Sequence, residues 1–278
     1  MKKQIDHSIT TSFLEKLDNK IVTKGEAFIN VSTGFYPVKT VNQQVYAYAS
    51  PFKQFIYDSS IGGTVNLSGI WSDGVFYSRA SGITIDYQNG RVLSKTQLGS
   101  NISGTFSLHE LNIKYTDKNE DQILMETKYV SEPIQPQQIT GIAESVETYP
   151  MIYVTYNNGK NMPRAMGGLD STNGRFTCYA MCNSSWQLDG VLSIMRDMKH
   201  TIFALLDSSE LPLNVSGDLK NPNYSYNTLV SGKSYPNIVH IEDVNCSKLT
   251  VEANQAINPT VRVGIAEFET AMTRNPRL

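Results

Sequence analysis

Charge is what this chain has least of. Only 18% of its 278 residues are Asp, Glu, Lys or Arg, against roughly 25% in an average soluble protein. The surface therefore has to be covered largely by Ser, Thr, Asn, Gln and Tyr. A neutral polar surface suits contact with other protein subunits, because few charges must be desolvated in an interface core. A coding bias toward Asn, Lys, Tyr and Ile would produce the same composition. The net charge is −2 and no stretch concentrates Lys and Arg. A phosphate backbone is gripped by clustered cations, so sequence-driven nucleic-acid recognition is not expected. A channel that merely lets DNA pass needs no such patch. Long apolar runs are missing too: about 18 consecutive apolar residues occur nowhere, so no membrane-spanning helix is expected. No apolar stretch of signal-peptide length follows Lys2 and Lys3. Asn-x-Ser sequons begin at Asn30, Asn66, Asn101, Asn183, Asn214, Asn223 and Asn245. Without a secretory signal they read as chance products of an Asn- and Ser-rich chain.

Cysteine is scarce and odd in number, at Cys178, Cys182 and Cys246, which agrees with a reducing compartment. In FTCYAMC the β-branched and aromatic content predicts a strand, on which residues four apart lie about 13 Å from each other. That separation excludes a shared metal or disulfide; a helix there would allow one. His7, His109, His200 and His240 are scattered, with no pair within a helical turn. His240-Ile241-Glu242 offers two ligands on one strand face, short of the three or four a zinc site needs. MGGLDSTNG has glycines but no following Lys-Ser/Thr, and it leads into a strand and not a helix, so it is no phosphate loop. The carboxylates Asp117, Glu120 and Asp121 sit at a predicted helix start, where the helix dipole favours negative charge. No serine has a glycine elbow around it. No catalytic, cofactor-binding or metal residue can be named, and no cofactor is expected.

What is present is strand and turn. In residues 68–94, SGIWSDGVFYSRASGITIDYQNGRVLS, Asp73-Gly74 and Asn89-Gly90 separate alternating apolar runs. Both dipeptides tolerate the positive φ of tight hairpins. Strands are also expected in AFINVS, in VYAYASPFKQFIYD up to Pro51, and at Ile102, Gly104, Phe106 and Leu108, with Ile113 and Tyr115 in another phase. Together they suggest an antiparallel sheet with one covered face. An N-terminal helix is predicted from a capping box at Ser12–Glu15, with Phe13, Leu17 and Ile21 on one face and Gly25 ending it. Residues 117–130 suit a short helix capped by Asp117. Pro133 and Pro136 mark a linker, placing a boundary near residue 136. The expected division is a β-rich domain at 1–136 with its N-terminal helix, and an α+β domain at 137–278.

The second half reads as strands at 150–156, 175–182 and 201–207 around a helix at 184–199. That helix has Ser184 or Ser185 as cap and Trp186, Val191, Ile194, Met195 and Met198 as its buried face. IVHIEDVNCSKLTVE and TVRVGIAEFET close the sheet. The class is α+β, with a helix packed on a mixed sheet. Residues 214–236 form a long irregular insertion, and its Tyr224, Tyr226 and Tyr235 are candidate inter-subunit contacts.

Two segments carry a family resemblance: VYAYASPFKQFIYD with GVFYSRASGITIDYQNGRVLS, and YPMIYVTY…RFTCYAMCNSSWQLDGVLSIMRDM. They cover about a third of the chain and are textural, with no invariant motif. The chain resembles virion structural proteins of tailed bacteriophages, namely neck or tail-completion proteins of the tail-terminator type. The resemblance implies a non-enzymatic subunit of a ring at the head–tail neck, a heterologous cyclic homo-oligomer. Its implied partners are other neck, portal-connector or tail proteins, with genomic DNA passing through the lumen without sequence recognition. It would be made in the host cytoplasm and reside in the virion. The family's small subunits commonly lack a large N-terminal β domain, which this chain has. The alternatives are a β-sandwich attachment or glycan-binding module, using the Tyr-rich insertion, and a hydrolase whose site is assembled from distant residues.

Overall fold

The structure is a computed structural model, and it describes residues 4–38, 45–129, 150–157, 159–163, 169–250, 252–253 and 260–274. The chain opens with α1 (Ile5–Gly25). Nine strands follow: β1 (Phe28–Gly34), β2 (Tyr36–Val38), β3 (Tyr46–Ala49), β4 (Gly69–Ser72), β5 (Val75–Ser78), β6 (Ile83–Asp86), β7 (Arg91–Ser94), β8 (Ile102–His109) and β9 (Asn112–Tyr115). Then come α2 (Glu120–Tyr129), β10 (Met151–Asn157), β11 (Asn161–Pro163) and β12 (Asp170–Cys182). α3 (Ser185–Arg196), β13 (Ile202–Ala204), α4 (Tyr226–Ser231), β14 (Ile238–Lys248) and β15 (Arg262–Arg274) complete it. The class is α+β and β-rich, as the sequence predicts.

Both hairpins form where expected. Asp73 (φ 47°) and Gly74 (φ 83°) make the two-residue turn between β4 and β5, and Gly90 (φ 65°) ends the connection from β6 to β7. A Cβ on Gly90 would collide with the carbonyl of Phe52, so this turn needs glycine twice over. The single sheet expected for the first half is instead two. One runs β1-β8-β4-β5 and the other β2-β3-β7-β6, so the two hairpins stand in different sheets. Between the sheets lies one core with Phe35, Tyr48, Phe55, Ile70, Ile85, Val92 and Phe106. Two packed sheets bury both sets of alternating side chains, which one sheet with a single covered face could not do.

The third sheet has the order β13-β14-β15-β12-β10-β9, with β11 on the flank of β12. β12 and β15 pair over their whole lengths, from Asp170 opposite Arg274 to Cys182 opposite Arg262. β12 begins at Asp170, five residues before the strand start expected at 175, so the end of MGGLDSTNG is itself strand. β9 lies parallel to β10 and the other pairings are antiparallel, so the sheet is mixed. Phe176, Cys178, Ala180 and Cys182 face α1 and α3. Tyr179 and Met181 face Ile123 of α2 on the other side. Burial on both faces explains why this strand reads as a nearly continuous apolar run.

α1 begins earlier than Ser12. Ser8, Thr10 and Ser12 are weak helix formers, yet all three are buried within it, so tertiary packing overrides propensity. Phe13 stacks on Phe176 with ring centroids 4.0 Å apart, and Leu17 and Ile21 join the same core. The helix ends at Gly25, with Glu26 in the left-handed region at φ 47°. α2 begins at Glu120, and its cap is Asn119 and not Asp117: the Gln122 backbone N–H donates to Asn119 Oδ1 at 2.9 Å. In α3, Ser184 caps by accepting the Gln187 N–H at 3.1 Å. Val191 and Met195, with Met198 just beyond the helix end, are buried as predicted, Ile194 is half-buried, and Leu188 and Leu192 join the buried face. Trp186 does not: it sits in the first turn with 88% of its surface exposed.

The boundary expected near residue 136, with Pro133 and Pro136, lies outside the described residues. The two largest cores draw on both sides of it. α1 packs into the third sheet's core, and Ala204, Leu206, Leu219, Tyr224 and Tyr226 enter the core between the first two sheets. No helix among the described residues is long and apolar enough to cross a membrane.

Candidate functional site

α1 is the shared wall of the molecule. Phe13, Leu17 and Ile21 serve the third sheet, while Val22 packs with Ile56 and Ile61 on the other side. Glu15 and Asp18, three apart on a helix, stand on neighbouring turns of one face. They line a cleft of about 470 Å³ together with Lys53, Tyr57, His109 and Lys114.

Four separate stretches of chain meet there. The Tyr57 hydroxyl donates to Glu15 Oε1 at 3.4 Å and the Tyr224 hydroxyl donates to Glu15 Oε2 at 3.1 Å. The Tyr57 and Tyr224 rings meet edge to face at 5.8 Å. His109 Nδ1, at the end of β8, is 3.3 Å from Asp18 Oδ1. Behind them Asp58 accepts from Asn19 Nδ2, from the Ser60 N–H and hydroxyl, and from the Tyr226 N–H, at 2.7–3.2 Å.

Burial dominates the electrostatics. It pushes the Glu15 carboxyl up to about 8; nearby Asp18 adds to the rise, and the Tyr224 and Tyr57 hydrogen bonds oppose it. Burial, helped by Asp58, raises Asp18 to about 7. His109 is driven down to about 4 by the same loss of solvent. Asp18 keeps 20% of its side-chain surface open to the cleft, so the cost of ionising it is partly relieved by water. Loss of solvent shifts both members of the Asp18–His109 pair toward their neutral forms. Titratable groups shifted by burial and gathered at a cleft mark it as a candidate functional site.

Apart from Tyr224 and Tyr226, which the sequence marks only as members of a Tyr-rich insertion, none of these residues stands out in the sequence, because the site is assembled from positions up to 209 residues apart. The usable signal was Glu15 and Asp18 at helical spacing beside the apolar stripe of α1. It says that α1 has a second buried face only once another body is known to cover it.

Of the residues singled out earlier, Tyr224 and Tyr226 belong to this site, but as buried groups. Tyr224 and Tyr226 retain only 4% and 3% of their surface, inside this chain, and so are not available as inter-subunit anchors. Their rings are drawn into the core by the aromatic cluster with Tyr57 and by the apolar packing of the first two sheets. Tyr235 is exposed. The insertion that carries them is ordered in part by α4, whose cap Ser225 accepts the Thr228 N–H. His240 and Glu242 are exposed on β14, and a register shift between Ile241 and Asp243 interrupts the alternation that would aim them together. Cys178 and Cys182 are buried and free, and Cys246 is free and half-buried. Glycines 167 and 168 lie outside the described residues. Among the described residues no three His, Cys, Asp or Glu side chains gather as a metal ion would require. No protein-family model matches this chain, and no curated protein matches it.

Proposed function

We propose that the protein is a non-enzymatic virion structural subunit that forms or joins a ring at the head–tail neck of a tailed phage. The observation that carries this reading is the margin of the first sheet, to which no other described strand pairs. β5 is its last strand, and it exposes Val75 at 56% and Phe76 at 43%, with Trp71 of β4 exposed beside them. An edge strand with large apolar side chains is a place where another chain can add its own strand. β2, an edge of the second sheet, exposes Tyr36 and Val38 in the same way. Two different edges unpaired among the described strands are what a head-to-tail ring uses. The low charge of the surface supports the same reading. Partners would be further copies of the chain and adjoining neck, portal-connector or tail proteins. Multi-angle light scattering and negative-stain images of the purified protein test this, with closed rings expected. A strict monomer that is also missing from purified virions overturns it.

The glycan-binding alternative keeps one specific support. Trp71 and Phe76 pair across β4 and β5 with ring centroids 5.2 Å apart, and Ser103 stands opposite Trp71 on β8. An exposed aromatic pair beside a hydroxyl suits a sugar face. Saturable glycan binding lost in Trp71→Ala would favour this reading over the ring.

A further inference from the structure

We propose that the cleft beside β9 receives an extended segment of a partner protein, which adds to the third sheet as a further strand and sends a lysine or arginine side chain to Asp18. This contact is separate from the sheet edges assigned to the ring. β9 is the last strand of its sheet, and no described strand pairs with its outer edge. The Asn112 and Thr116 N–H groups donate toward β10, to the Pro150 and Val154 carbonyls. Alternate residues of a strand direct their backbone groups to the same neighbour, so Ile113 and Tyr115 direct theirs outward. Among the described residues neither outward N–H has a backbone partner. Such a row of donors and acceptors is a template for another strand.

The edge opens on the cleft of about 470 Å³, which is lined by β9, by residues 53–55 and 88–89, and by Leu14, Glu15 and Asp18 of α1. That is room for the side chains of a short strand. Ile113 packs on the core beneath α1, and Tyr115, two residues on, shares its face. A residue set opposite either one turns its side chain the same way, toward Glu15 and Asp18. Charge decides which side chain fits. Neither carboxyl is in a salt bridge with a lysine or arginine among the described residues; the one ionisable partner is His109, 3.3 Å from Asp18 Oδ1. Asp18 keeps 20% of its side-chain surface open, so Oδ2 is left to accept from the cleft. Lys53 and Lys114 also line the cleft, but each already has an interaction partner. A cation carried in by the added strand supplies the counter-charge that the chain itself does not, through a charge-assisted hydrogen bond.

Nuclear magnetic resonance titration and amide hydrogen exchange on the full chain test this with two capped peptides, Thr-Val-Arg-Val-Thr and Thr-Val-Glu-Val-Thr. In the protein alone the Ile113 and Tyr115 amides should exchange freely. Millimolar arginine peptide should protect both, and the glutamate peptide should bind at least about tenfold more weakly. Tyr115→Pro removes one outward N–H and leaves the bonds to β10 whole, so it should weaken both peptides alike. Asp18→Asn should keep the edge protection and lose the preference for arginine. Protection of Ile113 and Tyr115 in the free protein would show that the edge is already covered, and would overturn the proposal. No protection by the arginine peptide, or equal binding of the two peptides, overturns it as well.

Discussion

Ser12 and Leu206 are joined across 194 residues: the Leu206 backbone N–H donates to the Ser12 hydroxyl at 2.8 Å. The same hydroxyl donates to the Ser8 carbonyl at 2.6 Å, and Ser12 has no exposed surface. This contact fastens the middle of α1 to the chain leaving β13. Ser12→Ala removes this buried hydrogen bond, a loss of about 1 kcal/mol. Ser12→Thr keeps the acceptor. Chemical denaturation of the two variants checks this, and equal stability for wild type and Ser12→Ala would refute it.

Ser12 also shows what could be read from the amino-acid sequence. Its spacing to Glu15 imitates a capping box, and local pattern alone cannot tell a cap from a buried mid-helix serine. The stripe Phe13–Leu17–Ile21 was legible because period and apolarity coincide. The Asp73-Gly74 and Asn89-Gly90 turns were legible because their φ angles restrict residue type. Sheet membership was not, since a hairpin specifies its own two strands and nothing about the third. Trp186 was misplaced for a similar reason: helical spacing assigns it to the apolar side, but it precedes the turn where α3 meets the sheet. The buried carboxylate site was hidden because Glu15, Asp58, His109 and Tyr224 share no local pattern.

The packing of α3 ranks its side chains. Met195 has no exposed surface and sits in the core with Phe268 and Met272, while Trp186 is almost wholly in solvent. Met195→Ala should cost about 2–5 kcal/mol through lost burial and a residual cavity. Trp186→Ala should stay within about 0.5 kcal/mol of wild type. Thermal or urea unfolding measures both; a reversed order would mean α3 is rotated from its described position.

The thiols should differ in reactivity. Burial pushes Cys182 up to about 12 and raises Cys178 further, and both side chains are sealed beneath α3. Cys246 is half-buried, with its sulfur toward the Leu192 carbonyl at 3.6 Å, and Arg196 offsets part of its upward shift. A thiol reagent should modify Cys246 in the folded protein. Cys178 and Cys182 should react only at the rate of global unfolding. Rapid labelling of three thiols in native buffer would contradict this burial.

At the β5 edge of the first sheet, Val75→Lys adds a charge where the side chain is already in solvent. Stability should change by less than about 0.5 kcal/mol. Assembly, if it uses this edge, should be lost, because an edge lysine resists strand addition. Light scattering beside a melting curve separates the two effects, and rings of undiminished size would show that β5 is not the contact.

The insertion is part of the core, and removing its centre should show this. Tyr224 and Tyr226 pack with Leu206 and Leu219, and the Ser59 N–H and hydroxyl both donate to the Tyr224 carbonyl. Upstream, Asp218 is paired with Arg79 at 2.6 Å, and Arg79 also donates to the Tyr87 hydroxyl at 3.2 Å. Tyr87 in turn donates to the Leu67 carbonyl at 2.7 Å, so the insertion is fastened at Asp218 as well as at Tyr224. Deleting Pro222–Tyr226 would strip Glu15 and Asp58 of donors and open the core between the first two sheets. Cutting one partner from a buried polar set costs about 1–3 kcal/mol, and losing a large aromatic side chain costs about 3–5 kcal/mol. The deletion should therefore unfold or severely destabilise the two-sheet half, read as loss of near-ultraviolet dichroism and of exchange protection in β6 and β7. Tyr235→Ala, at an exposed position beyond α4, should leave stability unchanged. A folded, cooperative deletion variant would mean that Tyr224 and Tyr226 are free to reach a partner after all.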